Sequence, residues 1–255
     1  MAKEGINEYR GISNGVKIIP AIDIRRGRVV RLYQGNIEDE TFYHENPAVV
    51  AKNFERQGAG RIHIVNLDGA FGEDERLSSD AIFKIREQTS VELQVGGGIR
   101  NYARAKKYID GGIDAVVVGS VYFDDVREFG EILSKFGDRI IMSADVKDDS
   151  VRTHGWEKDS GIKLGVFMKD IGRRNVRELV VTAIEKDGTL SGVDKEFYAH
   201  LVASSGISII ASGGVAGMED IGALFETGIT GVIIGKAIYE NKIDLRKAVE
   251  KYARG

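Results

Sequence analysis

Two aspartates close apolar runs at positions where an acid and a base would be wanted: Asp23 follows Ile18–Ile22, and Asp145 follows Ile140–Ala144. A carboxylate that ends a buried strand faces the mouth of its sheet. A pair of them lets one group donate a proton while the other removes one from a different atom. Glycine clusters suggest a second kind of chemistry. Gly96–Gly98 with Gly119 and Ser120, and Ser212–Gly214 with Gly235 and Lys236, all follow short apolar runs. Glycine turns expose backbone N–H groups to an anion, and the start of a following helix adds partial positive charge. Two phosphate cradles are expected, Gly97, Gly98, Gly119 and Ser120 in one, and Ser212, Gly213, Gly214, Gly235 and Lys236 in the other.

Other side chains are candidates around these centres. Arg100, Lys236 and the cluster Arg25, Arg26, Arg28 and Arg31 offer charge-assisted contacts to phosphate, with a solvated loop the expectation for most of the cluster. Thr182 ends another apolar run, and Asp187 follows in EKDGTLSG, where Asp-Gly is equally an ordinary turn. For both, a structural role stands beside a catalytic one. His63 lies inside a strand and reads more readily as a satisfied lining residue than as a catalyst. Trp156, the only tryptophan, is either a hydrophobic plug or a platform for a flat ring.

The elements that must position these residues repeat as strand and helix. Strands are expected at Val16–Ile22, Arg61–Asn66, Val91–Val95, Ala115–Val118, Arg139–Ala144, Leu179–Thr182, Ile207–Ala211 and Gly231–Ile234. They are mostly apolar on both faces, as strands covered inside and outside must be. Amphipathic helices are expected at Pro47–Gln57, Tyr102–Ile109, Asp124–Phe136 and Met218–Glu226. Eight such units predict a single α/β domain, a (β/α)8 TIM barrel, over residues 16–255, with residues 1–15 as an N-terminal extension. The cradle motifs recur 116 positions apart (Gly96 to Ser212, Val118 to Ile234), and IIPAIDIR echoes IIMSADVK 122 positions later. The barrel therefore reads as two similar half-barrels with a cradle in each.

Composition removes several classes of function. The net charge of −3 gives no global attraction for nucleic acid or an acidic membrane, so any anion site is local. The absence of Cys excludes disulfides, thiolate metal sites and a cysteine nucleophile. His44, His63, His154 and His200 show no metal-ligand spacing, and no metal is expected. No apolar run approaches the roughly 18 residues of a membrane helix. A cytoplasmic monomer acting on a small molecule is expected.

Seven segments carry a resemblance. IIPAIDIRRGRVVRLYQG, NLDGAFG, QVGGGIR, THGWEKDSG, IEKDGTLSG, IIASGGV and GVIIGKAIYE are similar, in order, to the barrel isomerases of histidine biosynthesis, the phosphoribosylformimino-5-aminoimidazole carboxamide ribotide isomerases. The likeness runs from about Val16 to Tyr252. It implies an Amadori rearrangement of an aminoaldose to an aminoketose, without a cofactor, on a substrate with a phosphate at each end. It implies Asp23 as proton acceptor and Asp145 as donor, Thr182 as a supporting hydroxyl, Trp156 stacked on the imidazole carboxamide, and Arg31, His63 and Arg100 as substrate contacts. Asp187 is a rival for the acid. The donor should have a raised pKa and the acceptor should be ionised. Three positions depart from the family: Asn66 and Ala183 replace acidic residues, and Ser78 replaces an Asn.

Three alternatives remain. One is the sister cyclase subunit of imidazole glycerol phosphate synthase, against which stand Ala21, Arg31 and the Gly155-Trp156 pair. Another is a dual-substrate isomerase that also accepts phosphoribosylanthranilate. The third is a non-catalytic phosphate-binding barrel.

Overall fold

The computed structural model describes residues 15–253. The extension expected over residues 1–15 therefore lies outside the described residues apart from Gly15. The strands are β1 (Lys17–Arg25), β2 (Arg28–Tyr33), β3 (Asn36–His44), β4 (Arg61–Asn66), β5 (Glu92–Gly96), β6 (Ala115–Val118), β7 (Ile140–Lys147), β8 (Ser150–Thr153), β9 (Lys158–Lys163), β10 (Glu178–Ala183), β11 (Ser208–Ser212) and β12 (Gly231–Ile234). Eight of them, β1, β4, β5, β6, β7, β10, β11 and β12, pair in parallel around a closed ring. The chain is a (β/α)8 barrel.

Alternation along each strand sorts its side chains. Ile18, Ile22 and Ile24 of β1 join the large outer cluster beneath the helices, whereas Ile19 and Ala21 join a smaller inner one. The inner cluster also contains Ala115, Val117, Ile141, Val180, Ile210 and Ile233, which fill the barrel with branched and small side chains. Two residues beyond these, on the same inward face, come Asp23, Gly119, Ser212 and Gly235. Asp145 and Thr182 take the corresponding places on β7 and β10 and sit opposite each other in register. The inward-facing period thus delivers the candidate chemistry to one rim.

The outer layer contains α1 (Pro47–Arg56), α2 (Leu67–Phe71), α3 (Arg76–Gln88), α4 (Tyr102–Asp110), α5 (Val121–Asp124), α6 (Val126–Phe136), α7 (Leu164–Arg173), α8 (Lys195–Ser204), α9 (Met218–Phe225), α10 (Lys236–Tyr239) and α11 (Leu245–Tyr252). The helix expected over Asp124–Phe136 is α6, which begins at Val126, and Asp124 instead ends the short α5. Asp125 takes an extended conformation between them and accepts hydrogen bonds from the backbone N–H groups of Arg127 and Glu128, capping α6. No helix among the described residues is long and apolar enough to cross a membrane.

The sequence reading missed two hairpins. After β1 the chain turns back as β2 and β3, and after β7 as β8 and β9, all antiparallel. β3 and β9 are mostly exposed and carry NIEDETFYH and KDSGIK, without an apolar face to betray a strand. Each hairpin rises from the rim beside one of the two aspartates.

Phe167 of α7 is fully buried, and its ring meets Tyr122 edge-on at 4.9 Å and stacks on Phe123 at 5.6 Å. Because Phe123 lines the rim cavity, this cluster supports the site from outside. Phe167→Ala is expected to destabilise the fold by roughly 3–5 kcal/mol, as read from urea unfolding; a change below about 1 kcal/mol would show that the cluster closes over the gap.

Candidate active site

The cavity at the rim holds about 260 Å³ and is lined from both halves of the barrel. Asp23, Arg31, His63, Gly97, Gly98, Arg100, Gly119, Ser120, Asp145, Trp156, Thr182, Asp187 and Ser212 all face it. Gly213, Gly214, Gly235 and Lys236 line a smaller adjoining recess that shares Arg31, Asp187 and Ser212 with the first. Asp23 and Asp145 thus open on the same mouth.

The two glycine turns have matching backbones. Gly97 and Gly98 have φ of +98° and +71°, and Gly213 and Gly214 of +89° and +85°, values that favour glycine. Their surroundings match as well. A Cβ on Gly97 would lie 2.2 Å from the Asn66 carbonyl oxygen, and one on Gly213 would lie 2.9 Å from that of Ala183. Asn66 and Ala183 thus meet the turns through backbone atoms, which any residue supplies. The Asn66 side chain is turned away: it accepts from the Gly69 N–H and donates to Glu75 and to the Tyr108 hydroxyl.

Asp23 forms an ion pair with Arg31 of β2, Oδ1 to Nη1 at 2.9 Å. The same guanidinium lies against Gly235, where a Cβ would stand 2.4 Å from Arg31 Cζ. Arg31 therefore links Asp23 to Gly235. The third departure, Ser78, supports that hairpin: its hydroxyl accepts from the Gly27 N–H and donates to Asp68, whose carboxylate also takes the Arg26 N–H. The rest of the arginine cluster does not reach the cavity. Arg25, of a cluster expected mostly in a solvated loop, is only 7% exposed because Glu40 and Glu73 pair with it at 2.9 and 2.7 Å. Arg28 lies over the Phe42 ring.

Asp145 accepts hydrogen bonds from the Thr182 and Trp156 side chains. Trp156 has φ of +77° and packs against Gly35 at the tip of the β2–β3 hairpin, where a Cβ would fall 2.8 Å from the indole ring. The tryptophan thereby joins the two hairpins above the second aspartate. Asp187, after a short 3-10 turn, receives the Gly188 N–H on its carboxylate. The two cations expected at the cradles hold backbone carbonyls: Arg100 bonds Ala70 O at 2.7 Å, and Lys236 bonds Gly188 O at 3.1 Å.

Burial pushes both Asp23 and Asp145 up to about 6 from an ordinary 3.8, and the charge of Asp187 adds to each rise. Burial also raises Asp187 itself, against the pull of Arg31. His63 moves the other way, down to about 3, through burial and the nearby Arg31 charge. Sequence reasoning passed over Ser143 and Gln94. Counting back two residues from Asp145 and from Gly96 along the inward face would have found both. A Cβ on Gly119 would fall 2.7 Å from Ser143 Oγ, which places that hydroxyl beside Gly119.

Residues 17–244 match the family described as histidine biosynthesis protein. Relatives from Desulforudis audaxviator and Alkaliphilus metalliredigens are 39% and 40% identical over 235 and 230 residues, covering 91% and 90% of this chain and 89% and 97% of those proteins. A relative from Aquifex aeolicus is 41% identical over 228 residues, 89% of this chain and 95% of that protein. All three bear the name 1-(5-phosphoribosyl)-5-((5-phosphoribosylamino)methylideneamino) imidazole-4-carboxamide isomerase. With a matched closed barrel and relatives of this identity over nearly its whole length, the chain belongs to the histidine biosynthesis protein family.

Proposed function

We propose that this chain is an isomerase of histidine biosynthesis, converting a doubly phosphorylated aminoaldose ribotide to the aminoketose by an Amadori rearrangement. The observation that carries this reading is the placement of Asp23 and Asp145 in one cavity flanked by two glycine turns of matched conformation. A phosphate in each turn would stretch the substrate across the mouth, with its ribose between the carboxylates. Residues 16–255 act as the catalytic domain, and a cytoplasmic monomer is the proposed working form.

The surroundings of the two aspartates divide the labour. Arg31 lies against Asp23 and favours its ionised form, which suits removal of the sugar C2 proton. Asp145 has no cation partner among the described residues to offset the burial that raises its pKa, which suits proton donation; the Asp187 charge raises both carboxylates and does not distinguish them. Asp145 then protonates the ribose ring oxygen, and the ring opens to a Schiff base. Asp23 takes the C2 proton to give an enolamine, and tautomerisation delivers the ketone. Thr182 orients Asp145 through its hydrogen bond, and Trp156, which lines the same cavity, offers its ring to a flat imidazole carboxamide. Asp187, buried at the same mouth, is the competing donor.

Two measurements test these roles. Asp23→Asn and Asp145→Asn should each lower turnover of the aminoaldose by roughly 10²–10⁴-fold in a spectrophotometric assay; near-normal rates in either variant would remove that residue from the mechanism. The pH dependence of stability tests the second aspartate separately. Its native pKa is raised, so the native state holds the proton more tightly than the unfolded chain, and this contribution is complete below about pH 4 and lost as pH rises through about 6. Asn at 145 suffers no such loss. Thermal unfolding should show the Asp145→Asn protein gaining on the wild type between pH 4 and 6 and holding that gain above pH 7, whereas a constant difference would contradict a raised pKa.

A further inference from the structure

Three inward side chains of neighbouring strands form a hydrogen-bonded chain that the proton transfers above do not use. Arg61, only 6% exposed, is gripped by Glu92 at 2.5 Å and Glu178 at 2.6 Å, and its Nη1 donates to Gln94 Oε1 at 3.2 Å. Gln94 is fully buried, and its Nε2 meets His63 Nδ1 at 2.9 Å. His63 faces the rim cavity, and its Nε2 has no hydrogen-bond partner among the described residues.

The chemistry of these groups leaves one consistent arrangement. A guanidinium only donates, so Gln94 must turn its carbonyl oxygen toward Arg61 and its NH2 toward His63. The NH2 only donates in turn, so Nδ1 must accept and carries no proton. An imidazolium would set an N–H against an N–H at that contact, and the Nδ1–H tautomer would do the same. The remaining form is neutral, with the proton on Nε2. The low pKa of His63 agrees with this geometry.

We infer that Arg61 and Gln94 are positioning residues that lock His63 in its Nε2–H tautomer, giving the cavity a fixed N–H donor for an oxygen of the bound sugar. The sugar rests on the proposed function; the lock does not. His63 in this form neither accepts a proton nor supplies positive charge. It steadies the ring oxygen, which gains electron density as the C1–O bond breaks and the ring opens, in the manner of a preorganised donor.

Nitrogen-15 NMR of labelled protein tests the lock, with His63 distinguished from the other three histidines by the signal lost in His63→Asn. The wild type should show Nε2 protonated and Nδ1 bare from pH 5 to 8. Gln94→Glu should reverse this, because a carboxylate next to Nδ1 only accepts and draws the proton there, and kcat/KM for the aminoaldose should fall roughly 10²-fold. A wild-type Nδ1–H tautomer, or an imidazolium at pH 7, overturns the lock without any variant having to fold. A reversed tautomer with kcat/KM intact overturns the donor role. An Nε2–H signal in a wild type that does not isomerise the aminoaldose supports the lock and overturns only the proposed function.

Discussion

Closing eight parallel strands into a ring turns one face of every strand onto an interior with room for side chains and little else, so any polar group there must find its partner within the wall. The inner layers largely obey this constraint. Branched and small residues fill the middle, and Arg61 pairs with Glu92, Glu178 and Gln94 below through its two terminal nitrogens, its Nε alone lacking a partner. At the rim the wall opens, and there the same inward face presents Asp23, Asp145 and Thr182. Their burial makes charge costly, so both carboxylates hold protons at a higher pH than they would in water. The packing that closes the barrel thus also tunes its acids.

The two halves share this plan but not its details. Both have a strand-end aspartate, a hairpin rising beside it and a glycine turn with two left-handed residues. They differ in what the hairpins deliver. The first brings Arg31 to Asp23 and Gly235, and the second brings Trp156 to Asp145. Two similar carboxylates thereby acquire a cation in one case and neutral donors in the other.

Much of this was legible in the residues. The eight barrel strands announced themselves as apolar runs, and their ends agree with the observed elements to within a few residues, because burial on both faces leaves little choice of side chain. The glycine turns were legible for a related reason: a Cβ at Gly97 or Gly98 would collide with the backbone of the preceding loop. The hairpins were not legible, since their outer strands face solvent and tolerate charge. Nor was the burial of Arg25, which depends on Glu40 and Glu73, partners 15 and 48 residues away. Gln94 looked like an unremarkable polar residue until its neighbours on the adjacent strand β4 were known. The departures Asn66, Ser78 and Ala183 were visible as departures only. Their setting emerged from the fold: Asn66 and Ala183 turn backbone atoms toward the glycine turns, and the Asn66 and Ser78 side chains are held in hydrogen bonds.

The central claim is that one small molecule spans the mouth with an anionic group in each glycine turn. Phosphorus-31 NMR during titration with a ligand bearing a phosphate at each end tests it most directly. Both phosphorus resonances should move together, saturating at one ligand per chain. A resonance that stays at its free position, or two ligands taken up per chain, would mean that the turns do not act as a pair.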